Sequence, residues 1–402
     1  MGRRPTLVLG LALVLSLAAP ATAAAPPLAQ RLGRALVVKH LAPAGTGAIA
    51  FDLSSGTTVF ARNDGRALAP ASNEKLPLTF AALEQLGSDF QIETDVLGTG
   101  TLDGAIWRGN LVLQGHGDPM LSSAGLRALA RQVRATGIRR VTGLVVGDES
   151  FFDSRRIAPG WKPSFYVDES PPLSALSVDR GRFAGGVSRV PALGAAMAFK
   201  QALRRAGVVA AGSAKVGAAP ADASPLAVIE SPPLAAIVRY MDQESDNFTA
   251  ELLLKQLGAT EKDAGTSWAG AAVVREVLAQ SGVPLAGVRI VDGSGLSVLD
   301  RLTARSIVGV LRAAWADPQI RASFVSALPV AGVNGTLDDR LGSPPARGNV
   351  FAKTGTTDIA SALSGFVGHR YAFSVLNNGR PLCVWCARRA QDRFANVLAA
   401  AK

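Results

Sequence analysis

Ser72 and Lys75 are the only serine and lysine in the chain spaced as Ser-x-x-Lys. A helix over this segment would place residues three apart on one face, so that the amine of Lys75 reaches the hydroxyl of Ser72. A hydroxyl beside a base is an activated nucleophile, because the base can remove its proton. The pair therefore predicts a serine enzyme with a covalent intermediate, although Ser72 alone would also suit a helix N-cap.

Two further short motifs strengthen this interpretation. Ser245-Asp246-Asn247 is the only Ser-x-Asn in the chain, and Lys353-Thr354-Gly355 follows later. The same ordered trio is found in penicillin-binding proteins and β-lactamases, which acylate a serine. Singly, Asn247 would be interpreted as a turn former and Lys353-Thr354-Gly355 as a strand that ends in a turn. Jointly, the three motifs favour catalysis.

Lys75 is a poor base at its reference pKa of about 10.4, because only about one lysine in 2,500 is then neutral at pH 7. Burial and a second positive charge both lower the pKa of a lysine. We expect Lys353 to supply that charge and a lowering of roughly three pKa units, which corresponds to about 4 kcal/mol. The sequence thus predicts two lysines close together beside Ser72.

The other motif residues are assigned to proton transfer and substrate binding. Ser245 would relay a proton to the leaving amine, and the amide of Asn247 would orient the substrate backbone. Lys353 and Thr354 would hold a terminal carboxylate. Gly355 would let the substrate approach the strand closely.

A tetrahedral intermediate also needs hydrogen-bond donors for its oxyanion. The backbone N–H groups of Ser72 and Thr356 are suitable if the strand that bears Thr356 lies beside the helix that bears Ser72. Losing one such donor typically costs about 2.7–4 kcal/mol. The predicted site therefore requires a fold in which this strand and this helix are neighbours.

Hydrophobic patterns place the motifs on secondary structure. Residues 48–60 predict a β-hairpin with a Ser-Ser-Gly turn, and the segment after Pro70 predicts a buried helix that ends at Gly87. Ser245-Asp246-Asn247 falls at a break between two helices. The later patterns predict helices at 234–240, 248–257 and 303–315, strands at 349–353, 361–367 and 371–376, and a terminal helix at 391–401.

The middle of the chain differs from its two ends in its predicted secondary structure. Strands are predicted at 111–113 and 141–146, with a helix near 126–136, all separated by glycine-rich turns. The stretch 212–233, rich in Ala, Pro and Ser, is interpreted as a connection back to the first domain.

The chain is therefore predicted to be an α+β protein in which the first and last thirds build one domain around an antiparallel sheet. The predicted division is a signal peptide at 1–23, the first part of the catalytic domain at 24–92, an inserted smaller α+β domain at 93–231, and the second part of the catalytic domain at 232–402. The length of 402 residues and the 48% hydrophobic content allow such a core.

The N-terminus predicts export. Two arginines precede an apolar run at 7–18 and then Ala21-Thr22-Ala23, which matches the pattern of a cleaved secretory signal. The expected location is periplasmic, cell-wall-associated or extracellular, and an uncleaved anchor is the alternative. In an exported protein the only cysteines, Cys383 and Cys386, are expected to form a local disulfide or to stay as two free thiols, without a catalytic role.

The net charge of +11 suits an anionic partner such as wall polymer or the outer face of a membrane, and equally an arginine-rich surface without a partner. Nucleic acid is not expected, because the arginines are scattered and no aromatic stacking motif accompanies them. No metal is expected either, because the three histidines and two cysteines lack the spacing of a zinc site.

The three motifs and their surroundings resemble the low-molecular-mass class C penicillin-binding proteins, the D-alanyl-D-alanine carboxypeptidase/endopeptidase family. The further elements that carry the resemblance are Gly117-Asp118-Pro119, Gly147-Asp148-Glu149-Ser150-Phe151, Pro159-Gly160-Trp161, Ser174-Ala175-Leu176 and Asp292-Gly293-Ser294-Gly295-Leu296-Ser297. The resemblance implies a penicilloyl-serine transferase fold with an inserted domain and no cofactor. It also implies hydrolysis of the D-Ala-D-Ala bond of peptidoglycan stem peptides, or of cross-links, through acyl-Ser72, and covalent inhibition by β-lactams.

Two positions depart from the family pattern. Val298 stands where members that bind a diaminopimelate side chain have arginine. Phe165 stands near the place of an acidic residue, for which Asp168 or Glu169 could substitute only with a shift. Side-chain specificity is therefore not assigned.

Two other functions are consistent with some of these motifs. A serine β-lactamase has the same trio but needs a base for rapid deacylation, and no Glu-x-x-Leu-Asn sequence supplies one. A non-catalytic peptidoglycan-binding protein would have the same scaffold, but the intact motif residues argue against it. A D,D-peptidase is the leading hypothesis.

Overall fold

The structure is a computed structural model that describes residue 2 and residues 26–401. The predicted signal peptide therefore lies, apart from residue 2, outside the described residues. Within the described part of the chain, no helix is long and apolar enough to cross a membrane.

Helices and strands are numbered here along the described chain. The helices are α1 (Leu28–Ala35), α2 (Lys75–Leu86), α3 (Ser123–Ala135), α4 (Pro191–Arg205), α5 (Leu234–Gln243), α6 (Asn247–Lys262), α7 (Ser267–Gln280), α8 (Ala304–Ala316), α9 (Arg321–Ala327) and α10 (Val384–Ala399). The strands are β1 (Thr46–Asp52), β2 (Thr57–Arg62), β3 (Glu93–Asp103), β4 (Ile106–Gly115), β5 (Arg140–Val141), β6 (Val145–Asp148), β7 (Arg182–Phe183), β8 (Gly186–Val187), β9 (Val209–Ala210), β10 (Ala214–Val216), β11 (Ser224–Glu230), β12 (Val350–Thr356), β13 (Ala360–Val367) and β14 (Tyr371–Asn378).

The sheet that carries the third motif has five antiparallel strands in the order β12-β13-β14-β1-β2. Strands from the two ends of the chain meet where β1 pairs with β14. Successive side chains of β1 point to opposite faces, so that Ile49 and Phe51 enter one core and Ala48 and Ala50 enter another. Both faces of the sheet are therefore covered, and the predicted hairpin of β1 and β2 is confirmed.

Helices cover the two faces of this sheet. The larger core lies between the sheet and the helices α2, α5, α6, α7, α8 and α9, whereas α1 and α10 pack on the other face. α2 is buried nearly all round and ends at Gly87, whose φ of +82° suits a glycine after a helix, as predicted. The buried position of α2 is what brings Ser72 and Lys75 to the edge of the sheet.

A second sheet is built from the middle of the chain. Its strand order is β10-β6-β4-β3-β11, with β5 beside β4 and β9 beside β5. α3 and α4 pack on it through a separate apolar core that includes Leu126, Leu129 and Phe199. The α+β class, with an antiparallel sheet flanked by helices, is confirmed.

Three details of the sequence interpretation were wrong. The stretch 212–233 is not a connection, because it contributes β10 and β11, and β11 pairs with β3. β11 is largely exposed and lies at the sheet edge, where a strand can contain a proline such as Pro225. Residues 141–146 are split between β5 and β6. The terminal helix begins at Val384, because Ala387 and Ala390 are buried in phase with Phe394.

Candidate active site

Ser72 lies in a short 3₁₀ turn, Ala71–Glu74, that leads directly into α2. Ala71 has a φ of +47°, a conformation that is uncommon for a residue with a Cβ and that often marks functional sites. Lys75, the first residue of α2, is completely buried and donates a hydrogen bond from Nζ to Ser72 Oγ at 3.2 Å. The predicted nucleophile and base are in contact.

Two other acceptors hold the ammonium of Lys75. Its Nζ donates to Asn247 Oδ1 at 2.9 Å and to the backbone carbonyl of Ser294 at 2.8 Å. Asn247 in turn donates from Nδ2 to the carbonyl of Glu169 at 3.1 Å. The sequence had assigned Asn247 to the substrate alone, and the structure shows that one of its amide atoms also positions Lys75.

The second motif forms a tight turn between α5 and α6. Ser245 has a φ of +57°, and Asp246 caps α6 by accepting a hydrogen bond from the N–H of Thr249 at 2.8 Å. Arg180, from the middle part of the chain, donates to both carboxylate oxygens of Asp246 at 3.0 and 2.6 Å. Arg180 therefore fixes the turn that presents Ser245 and Asn247.

The third motif lies on β12, at the edge of the five-stranded sheet. A Cβ added to Gly355 would lie 3.0 Å from the backbone nitrogen of Ser72 and 3.1 Å from Ala71 Cβ. Glycine at this position therefore allows the strand to approach Ser72, as the oxyanion requirement demands. The hydroxyl groups of Thr354 and Thr336 form a hydrogen bond with an Oγ1–Oγ1 distance of 2.7 Å, in which either hydroxyl can be the donor.

The two lysines have lowered pKa values. Burial lowers the pKa of Lys75 to about 8, although nearby carboxylates, Asp292 first among them, oppose this effect. Burial and the charge of Lys75 lower the pKa of Lys353 to about 7. The expectation that the charge of Lys353 lowers the pKa of Lys75 was wrong in its direction, because burial lowers the pKa of Lys75 and the repulsion lowers the pKa of Lys353.

A group of buried carboxyl groups lies beneath the lysines, and sequence reasoning missed it. Burial and the neighbouring Asp292 raise the pKa of Glu251 to about 8. Glu251 Oε1 nevertheless accepts hydrogen bonds from the N–H groups of Gly293 and Ser294, at 2.7 and 3.1 Å. These bonds fix the loop whose Ser294 carbonyl holds Lys75. The glycine-rich run after Asp292 was the available sequence signal.

The cleft above these groups has a volume of about 420 Å³. Among the residues that line it are Ser72, Ser245, Asn247, Thr354, Gly355 and Thr356. Lys75 and Lys353 lie buried beneath it. The structure therefore brings together the catalytic and substrate-binding residues that the sequence nominated, and adds Thr336 and Arg388 to the walls of the cleft. Glu169, one of the two possible acidic substitutes, lines this cleft and not the cavity of Phe165.

A second cavity, of about 240 Å³, begins beside Ala71. Phe165 and Val298, the two departures from the family pattern, both line it. Lys162 and Asp358, which also line it, are paired with each other at 2.6 Å. The departures therefore face one space next to the nucleophile.

Two remaining features concern the cysteines and metals. Cys383 and Cys386 form a disulfide at the start of α10, which is one of the two forms expected. Within residue 2 and residues 26–401, no group of three or more histidine, cysteine or acidic side chains could hold a metal ion.

Comparison with known proteins identifies relatives along most of the chain. The sequence matches the D-Ala-D-Ala carboxypeptidase 3 (S13) family over residues 28–195 and 187–400. It is 34% identical to a D-alanyl-D-alanine carboxypeptidase of Actinomadura sp. (strain R39), across 88% of this chain and 81% of that protein. It is 32% identical to a carboxypeptidase of Mycobacterium tuberculosis, across 86% of this chain and 78% of that protein.

The fold also has a solved counterpart. The crystal structure of penicillin binding protein 4 from Haemophilus influenzae superposes with a TM-score of 0.79 at 23% identity, and the match covers 90% of this chain and 98% of that one. At this level of identity the likeness concerns the fold.

Proposed function

The chain belongs to the D-Ala-D-Ala carboxypeptidase 3 (S13) family, and from this premise we propose that Ser72 is the residue acylated in its reaction. The protein is a serine-type D-Ala-D-Ala carboxypeptidase. The observation that carries the assignment of Ser72 is the hydrogen bond from buried Lys75 to its hydroxyl, at 3.2 Å. The substrates are peptidoglycan stem peptides that end in D-Ala-D-Ala.

Acylation begins when neutral Lys75 removes the proton of the Ser72 hydroxyl. With a pKa of about 8, about a tenth of Lys75 is neutral at pH 7, against about one in 2,500 for an ordinary lysine. Ser72 Oγ then forms a bond to the carbonyl carbon of the penultimate D-alanine. The resulting oxyanion accepts hydrogen bonds from the backbone N–H groups of Ser72 and Thr356, which is supported by the close approach of Gly355 to Ser72 N.

The tetrahedral intermediate collapses when the scissile C–N bond breaks. The leaving nitrogen takes the proton that Lys75 accepted, through the hydroxyl of Ser245, and free D-alanine departs. Lys353 and Thr354 hold its carboxylate, which is supported by their position at and below the floor of the cleft. Each group thus moves a proton, stabilises the oxyanion or holds the carboxylate of the leaving D-alanine.

Hydrolysis of the acyl-enzyme follows the same route in reverse. A water molecule occupies the place of the departed amine and gives its proton to Lys75, while its oxygen bonds to the acyl carbon. The ester bond to Ser72 then breaks, and Ser72 Oγ regains a proton. The net reaction adds one water across one amide bond.

The cellular setting is part of the same proposal. We infer export to the periplasm, the wall or the medium, because residues 1–23 have the pattern of a secretory signal and Cys383–Cys386 is a disulfide. The net charge of +11 supports peripheral association with anionic wall polymer or membrane. The division at 93–231 is supported by the second sheet, whose strands all come from residues 93–230.

Intact mass spectrometry tests the role of Ser72. Residues 24–402 are incubated with benzylpenicillin, a β-lactam expected to acylate the same serine, alongside the Ser72→Ala variant. A lasting adduct of one equivalent, absent from the variant, is expected. An adduct on Ser72→Ala, or D-alanine release by that variant, would refute the assignment. A short-lived adduct with consumption of penicillin would instead indicate a β-lactamase, and wall binding without any adduct would indicate a binding protein.

A further inference from the structure

A third cavity lies along α10, next to the catalytic cleft. This cavity, which we call the arginine groove, has a volume of about 550 Å³ and is defined by Arg340, Trp385, Arg388, Arg389, Asp392 and Arg393. Arg340 and Arg388 line both the groove and the cleft that holds Ser72. The groove and the cleft are therefore neighbouring spaces that meet at these two side chains.

The groove carries an excess of positive charge. Arg340 pairs with Asp392 at 2.6 Å, so these two side chains cancel. Arg388, Arg389 and Arg393 are exposed, and none of them forms an ion pair with a carboxylate in the described part of the chain. Three uncompensated guanidinium groups in a concave surface attract a ligand that bears carboxylates.

Trp385 gives the groove an apolar side. Its side chain is 67% exposed, and the guanidinium of Arg389 lies 5.3 Å from its ring centroid. An exposed tryptophan offers a flat surface for CH groups of a peptide or a sugar chain. The groove thus combines charge and apolar contact, as recognition of an anionic polymer segment requires.

The position of Arg388 gives the direction in which a substrate would enter the groove. It donates a hydrogen bond to Thr356 Oγ1 at 3.4 Å. Thr356 is two residues after Thr354, which in the proposed function holds the carboxylate of the leaving group. The cavity of Phe165 and Val298 is a separate space that begins beside Ala71. The groove therefore follows the leaving-group end of the cleft.

We propose that the arginine groove binds the part of a cross-linked substrate that lies beyond the scissile bond, namely the carboxylate-bearing second stem peptide. This inference rests on the proposed function, because it uses the same acyl-Ser72 chemistry. A pentapeptide has a single residue beyond the bond and ends in the cleft, whereas a cross-link must continue past it. The groove therefore favours endopeptidase action, in which water is added across the amide bond between two stems.

A paired kinetic experiment tests this proposal. The double variant Arg389→Ala/Arg393→Ala is compared with wild type on a purified cross-linked muropeptide dimer and on a monomeric pentapeptide ending in D-Ala-D-Ala. We expect kcat/KM for the dimer to fall about fivefold to tenfold, the effect of losing two charge contacts in a groove, and kcat/KM for the pentapeptide to stay unchanged. The matched control is Arg204→Ala/Arg205→Ala, which removes two exposed arginines from α4.

Two further measurements complete the test. High salt should slow the wild-type reaction with the dimer and affect the double variant less, because screening acts on the same charges. The Ser72→Ala protein should bind the intact dimer more weakly when Arg389 and Arg393 are also replaced. An unchanged dimer rate in the double variant, or an equal fall on both substrates, would overturn the proposal. Failure of the proposed function would look different, because wild type would then release no D-alanine from the pentapeptide.

Discussion

Arg180 binds both carboxylate oxygens of Asp246, at 3.0 and 2.6 Å, and so joins the middle part of the chain to the catalytic turn. Burial would raise the pKa of Asp246, but this paired hydrogen bond and charge hold it below the usual range. The Arg180 guanidinium also lies 5.2 Å from the ring centroid of Phe248, in the first turn of α6. The inserted region therefore contributes directly to the geometry at Ser245.

Replacing Arg180 with alanine should disturb this turn. It leaves Asp246 without its partner, and a lost hydrogen bond to a charged group typically costs about 2 kcal/mol. We expect acylation by benzylpenicillin to slow by about tenfold or more, because displaced near-attack groups lose rate steeply. Arg182→Ala, which removes an exposed arginine nearby, is the control. Unchanged acylation in Arg180→Ala would show that the turn is held by other contacts.

The paired lysines predict a bell-shaped pH profile for kcat/KM. Lys75 must be neutral to act as a base, and its neutral fraction rises as the pH passes about 8. Lys353 must be charged to hold a carboxylate, and its charged fraction falls as the pH passes about 7. Because the base has the higher pKa, the product of the two fractions rises below about pH 7, peaks between the two pKa values and falls above about pH 8, and both limbs belong to the coupled pair.

D-alanine release from a pentapeptide, measured between pH 5 and 10, checks this profile. Lys353→Met should lower the rate and also remove the falling limb, because the group that loses its charge is gone. A flat profile in wild type, or an intact falling limb in Lys353→Met, would contradict these assignments.

Gly355→Ala tests the contact between β12 and Ser72. The added Cβ would lie 3.0 Å from Ser72 N and 3.1 Å from the carbonyl of Pro70, both backbone atoms that cannot rotate away. The strand must then shift from the oxyanion site, and we expect acylation to slow roughly 10²-fold, the effect of losing one oxyanion donor. Gly65→Ala, where a Cβ would meet nothing within 4 Å, should leave the rate unchanged. Acylation at the wild-type rate in Gly355→Ala would exclude this role for the strand.

The sequence predicted the three motifs because each is a local pattern with a chemical reason. It could not predict the contacts that hold them. Arg180 and Asp246 meet only through the fold, and no local pattern links an arginine in the middle of the chain to the turn before α6. Ser294 acts through its backbone carbonyl, which leaves no trace in the choice of side chain.

The sequence also predicted part of the fold. The prediction of β1, β2, α2 and β12 was correct, because each contains a short run of apolar or β-branched residues that ends at a turn or a glycine. β11 was missed because it lies in a stretch rich in Ala, Pro and Ser, and because Pro225 argues against any strand except one at a sheet edge. The arginines are scattered along the chain as a whole, and only the fold shows that Arg388, Arg389 and Arg393 of α10 line one groove.

Val298→Arg tests how the second cavity selects a substrate side chain. Val298 is 42% exposed and faces the cavity beside Ala71, where Lys162 is paired with Asp358 and Arg380 is the one further charged residue of the lining. An added guanidinium can pair with a carboxylate on the substrate side chain, so we expect kcat/KM to rise about threefold to tenfold for a diaminopimelate peptide relative to its lysine analogue. Leu299→Arg adds the same charge at a neighbouring exposed residue that does not line the cavity, and it should leave this ratio unchanged. Equal changes for the two variants would show that general surface charge, and not the cavity, sets the preference.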